Sequence, residues 1–199
     1  MSQIPTNNVL ATTPTQTRIS TKYKMNFFSG TAFVVTVKVK LPNLNLGAPV
    51  DPMELFSSLD AAIKLIDDTF STLHPMRTLV MSHMYEAAFK PDAVSLTELI
   101  NLVKGMTSKL HIQPAGGGIL QTRAIEELPI ACGIAHGQIA FDDRLMMGDA
   151  LIESAAFLDE AVRRNALLAV DTQILPDIYR KYDIVEVKGR KVALLKLEK

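Results

Sequence analysis

The stretch from residue 130 to residue 158 constrains the fold of this chain more than any other. It reads IACGIAHGQIAFDDRLMMGDALIESAAFL, which is two short apolar runs, a Gly-Asp pair and an amphipathic helical pattern. Runs 128–134 and 137–141 predict two strands that turn near residues 135–137, because glycine and small polar residues favour turns. We expect Asp149 to cap the helix that follows, since aspartate is a preferred N-cap residue.

Composition fits one globular domain. The chain has 199 residues, of which 48% are hydrophobic and 21% charged, within the globular range. A formal net charge of zero gives no case for a nucleic-acid partner. The single cysteine, Cys132, excludes an internal disulfide and indicates a reducing, cytoplasmic compartment. No apolar run reaches the roughly 18–20 residues of a membrane span.

The first 30 residues are expected to form a basic arm, and residues 31–199 the folded domain. No acidic residue precedes Asp51, whereas Arg18, Lys22 and Lys24 do. A segment with so few apolar residues cannot offset its own ordering entropy, so we expect a partner to order it. We hypothesise that the arm docks to a larger assembly, for example a cytoskeletal or flagellar one. Organellar targeting is the alternative, because transit peptides have a similar composition.

The first half of the domain reads as alternating strands and helices. Period-two alternation over 31–41 predicts a strand, and strands 76–82 and 84–89 are expected to join near His83. Asp51-Pro52 predicts the start of the first helix, with Asp51 as its cap. The capping box of Ser95 and Glu98 starts the second.

The second half completes an α+β fold. Beyond a loop over 111–127 and the predicted strand pair, we expect a helix opened by Asp149, a strand over 166–170, a short helix over 172–181 and a closing hairpin (182–188 and 191–197). The first six elements form the split βαβ, ferredoxin-like βαββαβ arrangement. We expect one antiparallel sheet with its helices on one face.

Three short motifs resemble, in their order and spacing, the catalytic domain of class III adenylyl and guanylyl cyclases. GIAHG at 133–137 is similar to the G-I-x-x-G motif of that family. Met147-Gly148-Asp149 resembles its hydrophobic-Gly-Asp element, and the hairpin at 186–189 its closing L-K-G. The resemblance extends from about Thr31 to the end. It implies the cyclase fold, a ferredoxin-like core with an added C-terminal αβ unit and β-hairpin.

The resemblance also implies a catalytic apparatus. In that family two aspartates, on the first strand and in the following hairpin, hold two metal ions that activate the ribose 3′-hydroxyl. An Asn and an Arg, four residues apart on the helix after the Gly-Asp element, orient the ribose and stabilise the transition state. A Lys and an Asp select the base. The site lies at a dimer interface.

This chain departs from that pattern at most positions. Its first strand carries Lys38 and Lys40 instead of a carboxylate. His83 stands at the second metal aspartate, and Ile152 and Ala156 stand at the Asn and Arg. Leu79 takes the place of the base-selecting Lys. Only Asp143 coincides with the base-selecting Asp.

We therefore predict a pseudo-cyclase with no catalytic residue, metal or cofactor. It would act as a structural or protein-interaction module through the inherited dimer face, as a homodimer or with another cyclase-like domain. One alternative is the inert subunit of a heterodimeric adenylyl or guanylyl cyclase. Another is a metal-independent purine nucleotide sensor, in which Lys38, Lys40 and Asp143 would contact the ligand, although lysines on a strand are more simply a solvated face.

Overall fold

The computed structural model describes residues 27–40, 52–112, 130–175 and 182–196. Most of the predicted arm and of the 111–127 loop lies outside these residues, as does Asp51. The elements in chain order are β1 (Phe28–Val39), α1 (Pro52–Ser71), β2 (Arg77–Met81), β3 (Met84–Phe89), α2 (Leu96–Ile112), β4 (Ile130–Phe141), β5 (Met146–Met147), α3 (Asp149–Arg163), β6 (Leu168–Asp171), β7 (Asp183–Val187) and β8 (Arg190–Leu195).

The strands form one sheet in the order β2-β3-β1-β4-β6-β8-β7, and β5 pairs with the end of β4. The order β2-β3-β1-β4, antiparallel throughout, confirms the predicted ferredoxin-like half. The expectation of a wholly antiparallel sheet is wrong, because β6 runs parallel to β4. This pairing follows from α3, which carries the chain back across the sheet before β6 begins.

The helices lie on both faces of the sheet, so the prediction of one helical face is also wrong. On one face, α1 and α2 pack against the odd-numbered residues of β1, such as Val35 and Val37. On the other, α3 packs on small side chains such as Ala131 and Ala135. We call these the α1/α2 side and the α3 side. None of the described helices is both long and apolar enough to span a membrane.

The predicted strand pair at 128–141 is a single strand, which corrects the sequence interpretation. β4 pairs with β1 from Ile130 to Phe141 without a break. Gly133 and Gly137 are absent from the positive-φ glycines of the described residues and make no turn. Gly133 leaves room for α3, because a Cβ atom there would overlap the backbone of Ser154 and Leu158. The hairpin partner of β4 is the short β5.

The helix starts follow the sequence with one exception. The capping box is present in α2, where Ser95 Oγ donates to Glu98 Oε2 at 2.7 Å and Glu98 N donates to Ser95 Oγ at 3.2 Å. The N-cap of α3 is Gly148 (φ 135°) and not Asp149. A Cβ at Gly148 would collide with the Gln138 backbone, so only glycine fits there. Asp149 is the first helical residue, where its charge favours the helix dipole.

The C-terminal hairpin is confirmed, with slightly different bounds. β7 and β8 are paired, with Val187 opposite Arg190 next to the turn. The two turn residues, Lys188 and Gly189, have positive φ values of 50° and 78°. Such a two-residue turn matches the twist of the strands. The predicted strand 166–170 is β6, and of the predicted short helix only 172–175 is described, as a turn and bend.

Candidate functional site

The α3 side of the sheet is half covered. α3 packs on β4 and β1, and in the described part of the chain no helix covers the same face of β3 and β2. Thr36 Oγ1 of β1 lies 2.7 Å from Ser154 Oγ of α3. The Thr36 side chain therefore points to the α3 side of the sheet. Because side chains alternate along paired strands, this part of the face consists of Lys38, Leu79, Met81, Met84 and Glu86, of which Met81 is 49% exposed and Glu86 is buried. We call this set the open half-face.

A groove lies on the other flank of α3, between this helix and the β7–β8 turn. It encloses about 190 Å³. Four apolar residues (Ile152, Ala156, Phe157 and Val187) and four charged ones (Asp149, Glu153, Lys188 and Arg190) line it. Ile152 is 58% exposed. The groove is therefore an apolar concavity with a charged rim.

Arg190 fixes the shape of the groove. Its guanidinium lies 2.6 Å from Glu153 Oε1 on α3 and 2.9 Å from Asp171 Oδ2 on β6. The hydrogen bond to buried Asp171, followed by the nearby Glu153 charge, raises the pKa of Arg190 above its usual value. This cation joins the hairpin, the helix and the central sheet, so the groove is preformed.

The positions that resemble the catalytic pair of the cyclases lie together in this groove. Ile152 and Ala156 both line it, one helical turn apart on α3. His83 lies in the β2–β3 turn beside the open half-face, and its carbonyl accepts a 2.9 Å hydrogen bond from Val39 N. Leu79 belongs to the open half-face itself. These four positions thus lie on the α3 side of the molecule or at its edge.

The three predicted nucleotide contacts are not brought together. Lys38 pairs with Ala131 at one end of β4, and Lys40 Nζ donates to Asn165 Oδ1 at 3.0 Å. Asp143 follows the opposite end of β4, where its carbonyl accepts from Arg77 at 2.6 Å. At about 3.3 Å per residue, Lys38 and Asp143 lie roughly 30 Å apart. Nucleotide binding by these residues stays a prediction.

Glu86 is the residue that sequence reasoning missed. It lies opposite Thr36 and Leu79 and is only 4% exposed. Among the described residues its Oε2 has no hydrogen-bond partner, and burial raises the pKa of its carboxyl. The available signal was a single charge inside the apolar strand MYEAAF, two residues after Met84 and therefore on the same face of the strand.

The mixed sheet, with α1 and α2 on one face and α3 on the other, defines the class of fold. No family model and no curated protein matches this sequence, whereas solved structures do. A bacterial light-regulated adenylyl cyclase is 12% identical, with 84% of this chain and 91% of that chain covered and a TM-score of 0.61. The adenylyl cyclase CyaB from P. aeruginosa is 10% identical, with 86% and 97% covered and a TM-score of 0.61.

A third neighbour is a non-canonical dimeric guanylyl cyclase domain of the RhoGC fusion protein from the aquatic fungus Blastocladiella emersonii. It is 9% identical, with 88% of this chain and 99% of that chain covered and a TM-score of 0.60. The chain therefore has the α+β fold of class III nucleotidyl cyclase catalytic domains. The resemblance carried by residues 133–137 and by Met147-Gly148-Asp149 is confirmed at the level of the fold.

Proposed function

We propose that this chain is a non-catalytic module with the cyclase fold that acts through protein contacts on its α3 side. The observation that carries the proposal is the exposure of large apolar side chains there. Ile152 is 58% exposed and Met81 49% exposed, and they lie on the two flanks of one helix. Large apolar side chains that are exposed on the same side of a protein indicate an interaction site.

The local chemistry supports loss of the cyclase reaction. Lys38 lies on the α3 side of β1, and a lysine there repels the divalent cations that the reaction needs. The groove presents Ile152 and Ala156, whose aliphatic groups donate no hydrogen bond to a ribose or to a developing charge. The apolar side chains of Ile152 and Ala156 favour contact with apolar protein surface instead.

The partner we propose is a domain of the same fold, either a second copy or another cyclase-like chain. A solved neighbour of this fold forms a non-canonical dimer, which supports pairing between domains of this fold, although the same domain has also been solved as a monomer. We further propose that the arm of residues 1–30 attaches the pair to a larger assembly in the cytoplasm.

A cyclase assay tests the non-catalytic part. The purified full chain is incubated with ATP or GTP and Mg²⁺ or Mn²⁺, and cyclic nucleotides are measured by mass spectrometry. We expect no product above the blank, with an active adenylyl cyclase domain as positive control. Product that is lost in the variant Lys38→Ala would overturn the proposal. Product only after mixing with a domain that holds both metal aspartates would identify an inert subunit of a heterodimer.

A further inference from the structure

We propose that two copies of this chain join edge to edge, with the β7 strand of each copy antiparallel to the β7 strand of the other, so that the two sheets become one. The contact goes beyond the proposed function, because it uses a backbone edge of the sheet and not the α3 side. It follows from an unpaired strand edge whose sequence is complementary to itself.

β7 leaves one edge of the sheet open. It is the last strand in the sheet order and pairs only with β8 among the described strands. Val187 and Arg190 flank a two-residue turn, so the N–H and C=O groups of Val187 bond to β8. Bonding alternates along an antiparallel strand, which turns the N–H and C=O groups of Ile184 and Glu186 away from β8. No backbone hydrogen bond reaches either residue from elsewhere in the described chain. Such an edge is a template for pairing with another strand.

The sequence of β7 pairs with itself around Val185. With Val185 opposite its own copy, Ile184 lies opposite Glu186. The outward N–H and C=O groups of these two residues then bond to each other across the two-fold axis. Asp183 lies opposite Val187 in the same register. Like charges that face each other destabilise a strand pair, and here none do. Such an isologous contact closes at two copies.

The charges of β7 do not prevent this pairing. Edge strands commonly avoid association through charged side chains, and β7 carries Asp183 and Glu186. Asp183 forms an ion pair with Lys196 of its own chain at 2.8 Å, and Glu186 lies opposite Lys191 of β8. Each carboxylate therefore has a cation beside it. Ile184 is 48% exposed, so pairing also removes apolar surface from water.

The contact is small, so we expect a transient pair. β7 has five residues, which is about 17 Å of strand. Interfaces that bury less than about 1,200 Å² form weak complexes. We therefore expect a dissociation constant on the order of 0.1 mM.

Disulfide trapping tests the register. The full-length chain carries Ile152→Lys, which removes an exposed apolar residue of the α3 side, so that association reports the β7 edge. In the proposed pair, residue 185 lies about 4.5 Å from its copy between Cα atoms, which a disulfide spans. Ile184→Cys is the matched control, because position 184 is more exposed than 185 but lies roughly 8 Å from its copy. We expect Val185→Cys to give roughly fivefold more linked dimer. Native Cys132 is fully buried and does not interfere.

Sedimentation equilibrium in the same background gives a second readout. Glu186→Pro removes the outward N–H of this residue, and proline is tolerated on an edge strand where the N–H faces solvent. Glu186→Thr is the matched control, because it removes the same charge and keeps the N–H. We expect Glu186→Pro to raise the dissociation constant about tenfold through loss of two symmetry-related hydrogen bonds. Glu186→Thr should change it less than about threefold. Circular dichroism verifies that each variant folds.

The outcomes separate this inference from the proposed function. A chain that stays monomeric at roughly 0.5 mM, equal effects of the two substitutions at residue 186, or equal trapping from residues 184 and 185 overturns the edge pairing alone. Cyclic nucleotide formation by the native chain overturns the proposed function, whatever the trapping pattern.

Discussion

β4 and α3 are in close contact at Gly133. A methyl group there would overlap the backbone of Ser154 and Leu158, and neither can move without shifting the helix. We expect Gly133→Ala to lower the free energy of unfolding by about 3 kcal/mol, the upper part of the range for overpacked cores. Urea unfolding followed by circular dichroism measures the change.

Gly105 provides the matched control. It lies inside α2, is exposed, and an added methyl group meets no heavy atom within 4 Å beyond the backbone of its own helix turn. We expect Gly105→Ala to raise the free energy of unfolding by roughly 0.5–1 kcal/mol, because alanine loses less backbone entropy in a helix. Similar effects of the two substitutions would contradict the packing explanation.

Glu86 is expected to make stability depend on pH. Burial raises the pKa of its carboxyl above 4.5, so between that value and the raised one the folded state binds more protons than the unfolded state. The free energy of unfolding therefore falls as the pH rises through this window. Glu86→Gln should remove this loss and stabilise the chain at neutral pH by about 1 kcal/mol. Urea unfolding across a pH series measures it.

Glu98 is expected to make the stability of the chain depend on pH in the opposite direction. Hydrogen bonds from the backbone and side chain of Ser95 lower the pKa of the Glu98 carboxyl. Its contribution to stability is therefore complete above the ordinary glutamate pKa and is lost as the pH falls through the lowered value. A pH series for Glu98→Gln should show a smaller loss of stability on acidification than the native chain. If the free energy of unfolding depended on pH equally in Glu86→Gln and Glu98→Gln, both assignments would be contradicted.

At the scale of elements, Arg190 is expected to hold three of them together. Its ion pairs reach Glu153 of α3 and the 5%-exposed Asp171 of β6. Arg190→Met should lower the free energy of unfolding by about 2 kcal/mol, as loss of a hydrogen bond to a charged group does. Lys196→Met is the control, because its pair with Asp183 is 55% and 66% exposed and contributes at most about 0.5 kcal/mol. Thermal and urea unfolding compare the two.

The sequence predicted the elements whose signals are local. Alternation located β1, the capping box located α2, and a glycine-containing turn located the final hairpin. The prediction of a turn at 135–137 failed because Gly133 is small to accommodate α3, a contact distant in sequence. The same contact explains the missed second helical face. Apolar residues at both parities of β1, such as Val34 and Val35, were the available signal for a sheet covered on both sides.

The candidate site was predicted only in part, for a related reason. Ile152 and Ala156 were identified through the motif before α3, and the structure places both in one groove. Lys38 and Asp143 were grouped by resemblance, yet they lie at opposite ends of β4. Glu86 was missed because its burial depends on strand pairing with β1 and β2, which no local pattern reveals.

For the whole molecule, the sheet topology predicts where the native state opens. β4 is paired with β1 over its full length and with β6 at Cys132–Ile134, and it has cover on both faces. β2 and β7 are the two edge strands. Strands that are paired and covered on all sides open only with global unfolding, whereas edges open locally. Hydrogen exchange followed by mass spectrometry should therefore show β4 and β1 exchanging last, and β2 and β7 first. Early exchange in β4 would contradict its place at the centre of the core.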